Sequence, residues 1–203
     1  MTLPLDHRLH PNQHFTDTQY VDAELNICYP WWTKAFIDEL VTWDLSDKTI
    51  LEWGSGGSTL WLAHKCKYIV SFDHQKEWHE YLVDGFKYFP ELTNYELHFA
   101  EHQGDLNGGG EESPYVNLPE TLGYEYDIII VDGAVRNACI RKAVELLSKK
   151  GGILIIDNWN QASCGCDHSE NNELLAQFEG KQYFQPQHLT GDWSTCFWVI
   201  PKK

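Results

Sequence analysis

No run of the sequence comes near the roughly 20 consecutive apolar residues that a bilayer-spanning helix needs, and the opening MTLPLDHRLHPNQHF contains no apolar signal-peptide core. No membrane partner is expected from such a chain, and a cytoplasmic location is. Positive charge is scarce too: 15 Lys and Arg face 30 Asp and Glu, a formal net charge of −15. That surplus opposes approach to phosphate backbones and anionic headgroups. The longest basic clusters, Lys149-Lys150 and Lys202-Lys203, are too short to build a basic patch, so nucleic acid is set aside as a partner. Cysteine is sparse and scattered, at positions 28, 66, 139, 164, 166 and 196, which excludes a disulfide scaffold in 203 residues and leaves buried thiols as the expectation. Cys164-Gly165-Cys166 with His168 supplies zinc-ligand residue types, but without a second spaced pair it makes no zinc site. No internal repeat is visible.

What is present is enough apolar material for a core: 42% hydrophobic residues, with nine Trp. The length suits one domain. We read residues 1–46 as an N-terminal helical segment of that domain and 47–203 as its α/β body. From Asp47 onward, short apolar runs alternate with amphipathic stretches, the pattern of βαβ units. Strands are expected at 49–53, 68–73, 95–100, 126–131 and 152–156, and the near-continuous apolar runs DIIIVD and ILIID suit central strands covered on both faces. Ile140, Ala143, Val144 and Leu147 make one helical stripe, which Gly151-Gly152 terminates. Further helices are expected over 32–43, 58–65, 76–88 and 169–179. Two last apolar segments, Tyr183–Leu189 and Cys196–Ile200, have no helix between them and read as an antiparallel hairpin at the sheet edge. The stretch from Gln103 to Tyr124, with three consecutive glycines and two prolines, reads as a long surface loop. The fold class is α/β: a doubly wound, mostly parallel seven-stranded sheet with helices on both faces and a C-terminal antiparallel hairpin.

Two features carry chemistry. In TILEWGSGGSTLWLA, residues 49–63, an apolar strand reaches Glu52, a turn holds Gly54, Gly56 and Gly57, and Ser58 and Thr59 open a helix. Glycines there let a ligand approach the backbone, at the carboxyl end of a strand where doubly wound sheets bind ligands. About twenty residues on, IVSFDH ends a second strand in Asp73, whose carboxylate can accept from both hydroxyls of a ribose. Together they imply a nucleoside-containing cofactor. His74, beside Asp73, has the chemistry of a general base, though a surface or supporting place is the plainer expectation. Trp31-Trp32 and Tyr88-Phe89 read as core or helix-packing residues.

On these residues the sequence from Trp43 to Pro201 resembles class I S-adenosylmethionine-dependent methyltransferases, a Rossmann-like family. The resemblance implies S-adenosylmethionine as cofactor, with Glu52, Gly54, Ser55, Gly56 and Ser58 lining the site of its methionine portion and Asp73 holding the ribose. Glu101 and His102, just after the third strand, fall where that family contacts adenine. STCFWVIP is similar to its antiparallel seventh strand. The run YDIIIVDGAVRNACIRKAVELLSKKGGILIIDN, residues 126–158, resembles small-molecule O-methyltransferases related to the catechol and caffeoyl-CoA enzymes. This implies a small-molecule acceptor and a divalent cation such as Mg²⁺ on Asp132, Asp157 and Asn158, with Asp132 also assisting deprotonation. The chain departs from those enzymes at Val135, where they carry a Lys; Arg136 follows it. Two other readings stay open. A nicotinamide-dependent oxidoreductase shares the strand, turn and carboxylate but expects a third glycine or alanine where Thr59 stands. A non-catalytic nucleoside-binding module could keep the fold without the chemistry. Neither the acceptor nor the oligomeric state follows from the residues.

Overall fold

The computed structural model describes residues 21–22, 24–25, 27–102, 109–159, 168–187 and 191–203. A short antiparallel pair, β1 (Val21–Asp22) and β2 (Ile27–Cys28), precedes helix α1 (Lys34–Leu40). The body then runs β3 (Thr49–Trp53), α2 (Gly57–Ala63), β4 (Tyr68–Asp73), α3 (Lys76–Phe86), β5 (Tyr95–Phe99), α4 (Pro114–Thr121), β6 (Ile128–Val131), α5 (Arg136–Ser148) and β7 (Gly152–Asp157). A 3₁₀ turn (Ser169–Asn171), α6 (Asn172–Leu175), β8 (Glu179–Gln187) and β9 (Gly191–Ile200) complete it.

Seven strands form one sheet in the order β5-β4-β3-β6-β7-β9-β8. The first five are mutually parallel, and β9 lies antiparallel to both β7 and β8. Because side chains alternate along a strand, the central strands feed two cores. Ile50, Ile128, Ile130 and Ile155 point to the face covered by α1, α2 and α3. Leu51, Trp53, Ile129, Val131, Leu154 and Ile156 point to the face covered by α4, α5 and α6. Burial on both sides is why IIIV and ILII carry no polar alternation.

The chain steps outward from β3 to β4 and β5, then returns to lay β6 on the other side of β3. That reversal opens a crevice at the carboxyl ends of β3 and β6, where such sheets bind ligands. The two turns meet there: Gly54 has φ +103, and a Cβ on it would lie 2.6 Å from the Gly133 backbone nitrogen. A Cβ on Gly133 would fall 2.0 Å from the Tyr115 hydroxyl. Both positions therefore require glycine for close approach.

The expected strands and the α5 stripe occur, and the terminal hairpin is longer than expected. Its pairing runs from Glu179 opposite Val199 to Gln187 opposite Gly191. That ladder claims Glu179, so the helix expected over 169–179 is cut to the 3₁₀ turn and one α-turn. The larger correction concerns 103–124, read as loop throughout. Residues 114–121 form α4, with Pro114 at its first turn and Tyr115, Val116 and Pro119 buried. Proline at a helix start costs no hydrogen bond, and these apolar residues gain burial that glycine-rich neighbours obscure. Residues 103–108 of that stretch lie outside the described structure. No helix among the described residues is long and apolar enough to cross a membrane.

Candidate functional site

The turn after β3 is built on Glu52. Its carboxylate is fully buried and accepts from the hydroxyls of Ser58, Thr59 and Ser71, the last at 2.6 Å. Thr59 in turn accepts from the Gly56 N–H at 2.8 Å, tying the helix start to the turn. Burial pushes Glu52 up to about 7, against the pull of the three hydroxyls. Glu52 and Ser58, expected to line the ligand site, thus face inward and shape the turn. Ser55 is buried as well, and Gly56 alone of these leaves open space: a Cβ on it would meet nothing within 4 Å, which leaves a cradle beside the backbone. Trp78, from α3, closes the turn's flank with its Nε1 donating to the Ser55 carbonyl at 2.7 Å.

Asp73 lies directly beside that turn. β3 and β4 pair in register, Glu52 opposite Ser71, and Gly54 N–H donates to the Phe72 carbonyl at 2.8 Å. Ser71 and Ser55 hydroxyls meet at 2.8 Å. The Asp73 carboxylate accepts from the Gln75 N–H at 2.7 Å, and burial pushes it up to about 6 against backbone N–H groups of Gln75, His74 and Ser55. The two stretches singled out by their spacing are therefore neighbours in space.

His74, His102 and Tyr115 border Asp73. Their rings lie 4.9, 5.8 and 6.2 Å apart pairwise. The Nδ1 atoms of His74 and His102 and the Tyr115 hydroxyl are buried and find no hydrogen-bond partner among the described residues. Burial and the neighbouring His102 push His74 down. Buried polar atoms without partners are costly; here the His74 Nδ1 lies 3.8 Å from the Asp73 carboxylate, and the Tyr115 hydroxyl packs on the backbone at Gly133 and Ala134. Glu101 is exposed, and its backbone carbonyl accepts from Tyr115 N–H at 3.1 Å. Tyr115 was hidden from the sequence reading by the loop assignment. Ser71 had a signal: a lone hydroxyl in an otherwise apolar strand, in register with Glu52.

Across the crevice, Asp132, Asp157 and Asn158 converge, but on an arginine. Arg136, the first residue of α5, donates NH2 to Asp132 Oδ1 at 3.1 Å and NH1 to Asn158 Oδ1 at 3.0 Å. Asp157 Oδ1 is taken by the Thr195 hydroxyl at 2.6 Å, which also accepts from the Thr33 N–H at 3.0 Å. Trp32 Nε1 reaches Asp132 Oδ2 at 3.1 Å, so this tryptophan is core, as expected, and also a partner of the site. Burial raises the Asp132 carboxyl, while the Arg136 guanidinium and the Trp32 indole pull it back. This donor set does not fit a divalent cation, because a guanidinium already holds the side-chain oxygens of Asp132 and Asn158 and the Thr195 hydroxyl holds that of Asp157. The chain enters α5 through Val135 in the left-handed region, φ 42 and ψ 43, fully buried. For a β-branched residue that conformation is strained, and such strain of order 1–3 kcal/mol collects at functional sites.

Cys66, Cys139 and Cys196 are buried free thiols, as expected, with Cys66 pushed up to about 12 by burial. His168 is buried, its Nδ1 3.0 Å from Asn137 Oδ1 and its ring stacked on Trp159. Cys164 and Cys166 lie outside the described residues, and no group of three or more His, Cys, Asp or Glu among the described ones is arranged to hold a metal ion.

No family model matches the chain, and no curated protein does. Solved structures do. An O-methyltransferase from Bacillus cereus in complex with S-adenosylhomocysteine superposes with a TM-score of 0.64 at 18% identity, covering 98% of each chain. An O-methyltransferase from Streptomyces achromogenes involved in tomaymycin synthesis, in complex with S-adenosylmethionine, gives 0.61 at 16% identity over 98% of this chain and 97% of that one. An rRNA methylase from Streptococcus thermophilus gives 0.56 at 17% identity over 81% and 95%. At these identities the likeness is one of fold: the chain has the Rossmann-like methyltransferase fold with its C-terminal antiparallel hairpin.

Proposed function

We propose that the chain is an S-adenosylmethionine-dependent methyltransferase acting on a small-molecule acceptor, with oxygen the favoured nucleophile. The observation that carries this is the adjacency of the Gly54–Gly56 turn and Asp73 at the point where strand order reverses, in a fold shared with proteins solved with that cofactor or its product. The residues fit the group: the open cradle at Gly56, the buried Asp73 carboxylate and the buried Nδ1 atoms of His74 and His102, without a hydrogen-bond partner among the described residues, suit a nucleoside. Bound there, S-adenosylmethionine supplies a methyl group activated by its sulfonium. The chain's part is to align an acceptor with it and exclude water. Asp132, across the crevice with 23% of its side chain exposed, is our candidate to take the acceptor's proton. Ser55 and Gly56 serve the cofactor, Glu52 and Ser58 hold the turn, and Glu101 acts through its backbone.

Thr59 stands where a nicotinamide enzyme expects glycine or alanine, and its buried hydroxyl bonds to Glu52, which disfavours that reading. The net charge of −15 favours a small acceptor over RNA, although an rRNA methylase shares the fold. We read residues 1–46 as part of the same domain, since Trp32, Phe36, Ile37 and Leu40 pack into the second core.

Isothermal titration with S-adenosylmethionine and S-adenosylhomocysteine tests the proposal. Wild type is expected to bind both, and Asp73→Ala to bind roughly 10- to 100-fold more weakly, the worth of hydrogen bonds to a charged group. Asp132→Asn should leave that binding intact and slow transfer on the order of 10²- to 10⁴-fold, the range for a lost general base. Failure of wild type to bind either ligand would leave a non-catalytic binding module on this fold as the better reading.

A further inference from the structure

The Arg136 guanidinium is 3.0 and 3.1 Å from side-chain oxygens of Asn158 and Asp132, two of the three residues that the resemblance assigned to a metal. It also takes three backbone carbonyls: Gly133 at 2.9 Å through Nε, Asp157 at 2.5 Å through NH1 and Asp132 at 2.8 Å through NH2. A guanidinium carries five N–H donors, and here each nitrogen is committed in full. The acceptors belong to the ends of β6 and β7, so one side chain ties together the two strand ends that form this wall of the crevice. The residue is only 8% exposed, and among the described residues its carboxylate partner is Asp132.

We infer that Arg136 is the resident cation of this site, that the site takes up no divalent ion, and that Arg136 positions Asp132 for its work in place of one. Two facts decide it. A Mg²⁺ or Mn²⁺ ion needs about six oxygens close to 2.1 Å in octahedral array, and the guanidinium stands among the same oxygens. Expelling it would strand a buried cation and three strand-end carbonyls, and would open the tie between β6 and β7. A Lys at position 135 would not produce this arrangement, because its point charge lacks the planar fork.

A consequence for substrate follows, resting on the methyltransferase reading above. A divalent ion favours acceptors that chelate through two adjacent oxygens; a saturated guanidinium offers no free donor and asks for no second oxygen. The acceptor class is therefore one presenting a single nucleophile to Asp132, rather than a chelating vicinal diol.

Mn²⁺ titration of the full chain, followed by the electron paramagnetic resonance signal of the free ion and run with and without S-adenosylhomocysteine, tests the cation claim without an acceptor. Wild type is expected to leave Mn²⁺ free, and its melting temperature to be unmoved by Mn²⁺ or EDTA. Arg136→Ala is expected to take up one Mn²⁺ per chain, and Asp132→Asn added to it to abolish the uptake. Stoichiometric uptake by wild type, a melting temperature that rises saturably with Mn²⁺, or a folded Arg136→Ala chain that takes up none would overturn the inference. If Arg136→Ala does not fold, the wild-type titration and melts still decide. Loss of S-adenosylhomocysteine binding, measured separately, would count against the proposed function and not against this.

Discussion

Glu52 is the residue whose chemistry the fold alters most. Held at zero exposure by three hydroxyls, it is pushed from an ordinary value of 4.5 up to about 7 by burial. Because the folded value lies above the unfolded one, the native state binds the extra proton between those limits. Stability from this group is thus fully present below about pH 4.5 and lost as pH rises through about 7, a span on the order of 3 kcal/mol. Glu52→Gln should keep the turn and flatten the fall in urea-unfolding free energy across that window. An unchanged slope in the variant would mean that Glu52 is not the group responsible. Asp73, pushed up to about 6, contributes in the same sense to the chain without ligand.

Among the elements, α1 decides how the N-terminal part joins the sheet. Phe36 packs against Tyr183 at 5.6 Å and Phe197 at 6.3 Å, both on the terminal hairpin, and Trp43 meets Phe197 edge-on at 5.2 Å. Lys181 on β8 reaches Glu39 on α1 at 3.0 Å, an exposed pair that adds little. The helix's role is aromatic packing, and through Trp32 and Thr33 it also reaches Asp132 and Thr195. Phe36→Ala is expected to cost roughly 3–5 kcal/mol, as large-to-small changes in cores do. For a chain of this length that lowers the melting temperature by about 6–20 °C. A drop of only a degree or two in calorimetry would show that α1 does not anchor the hairpin. Helix α4 works differently, since it brings Tyr115 over Gly133 and so joins the Asp73 side of the crevice to the Asp132 side.

For the whole molecule, net charge sets which partners can approach. At −15, long-range repulsion opposes RNA, and the prediction is no retention of ribosomal RNA in a mobility-shift assay at physiological salt. Tight binding that weakens steeply with added salt, the mark of phosphate neutralisation, would show that a basic surface exists despite the total.

The strand and helix order and the ends of β3, β4 and β6 could be read from residue order alone, because apolar periodicity and glycine turns are local signals. Asp73 next to the Gly54 turn followed from them, since consecutive βαβ strands pair. The fate of the remaining site residues was not local. Whether Glu52 faces a ligand or three hydroxyls depends on Ser71 arriving in register from the next strand. Asp132 is met by Trp32 from 100 positions away, and Asn158 by Arg136 across two strands. A carboxylate's chemistry is set by what approaches it through space, and that was decided only when the sheet closed and set a guanidinium among residues that the resemblance had assigned to a metal.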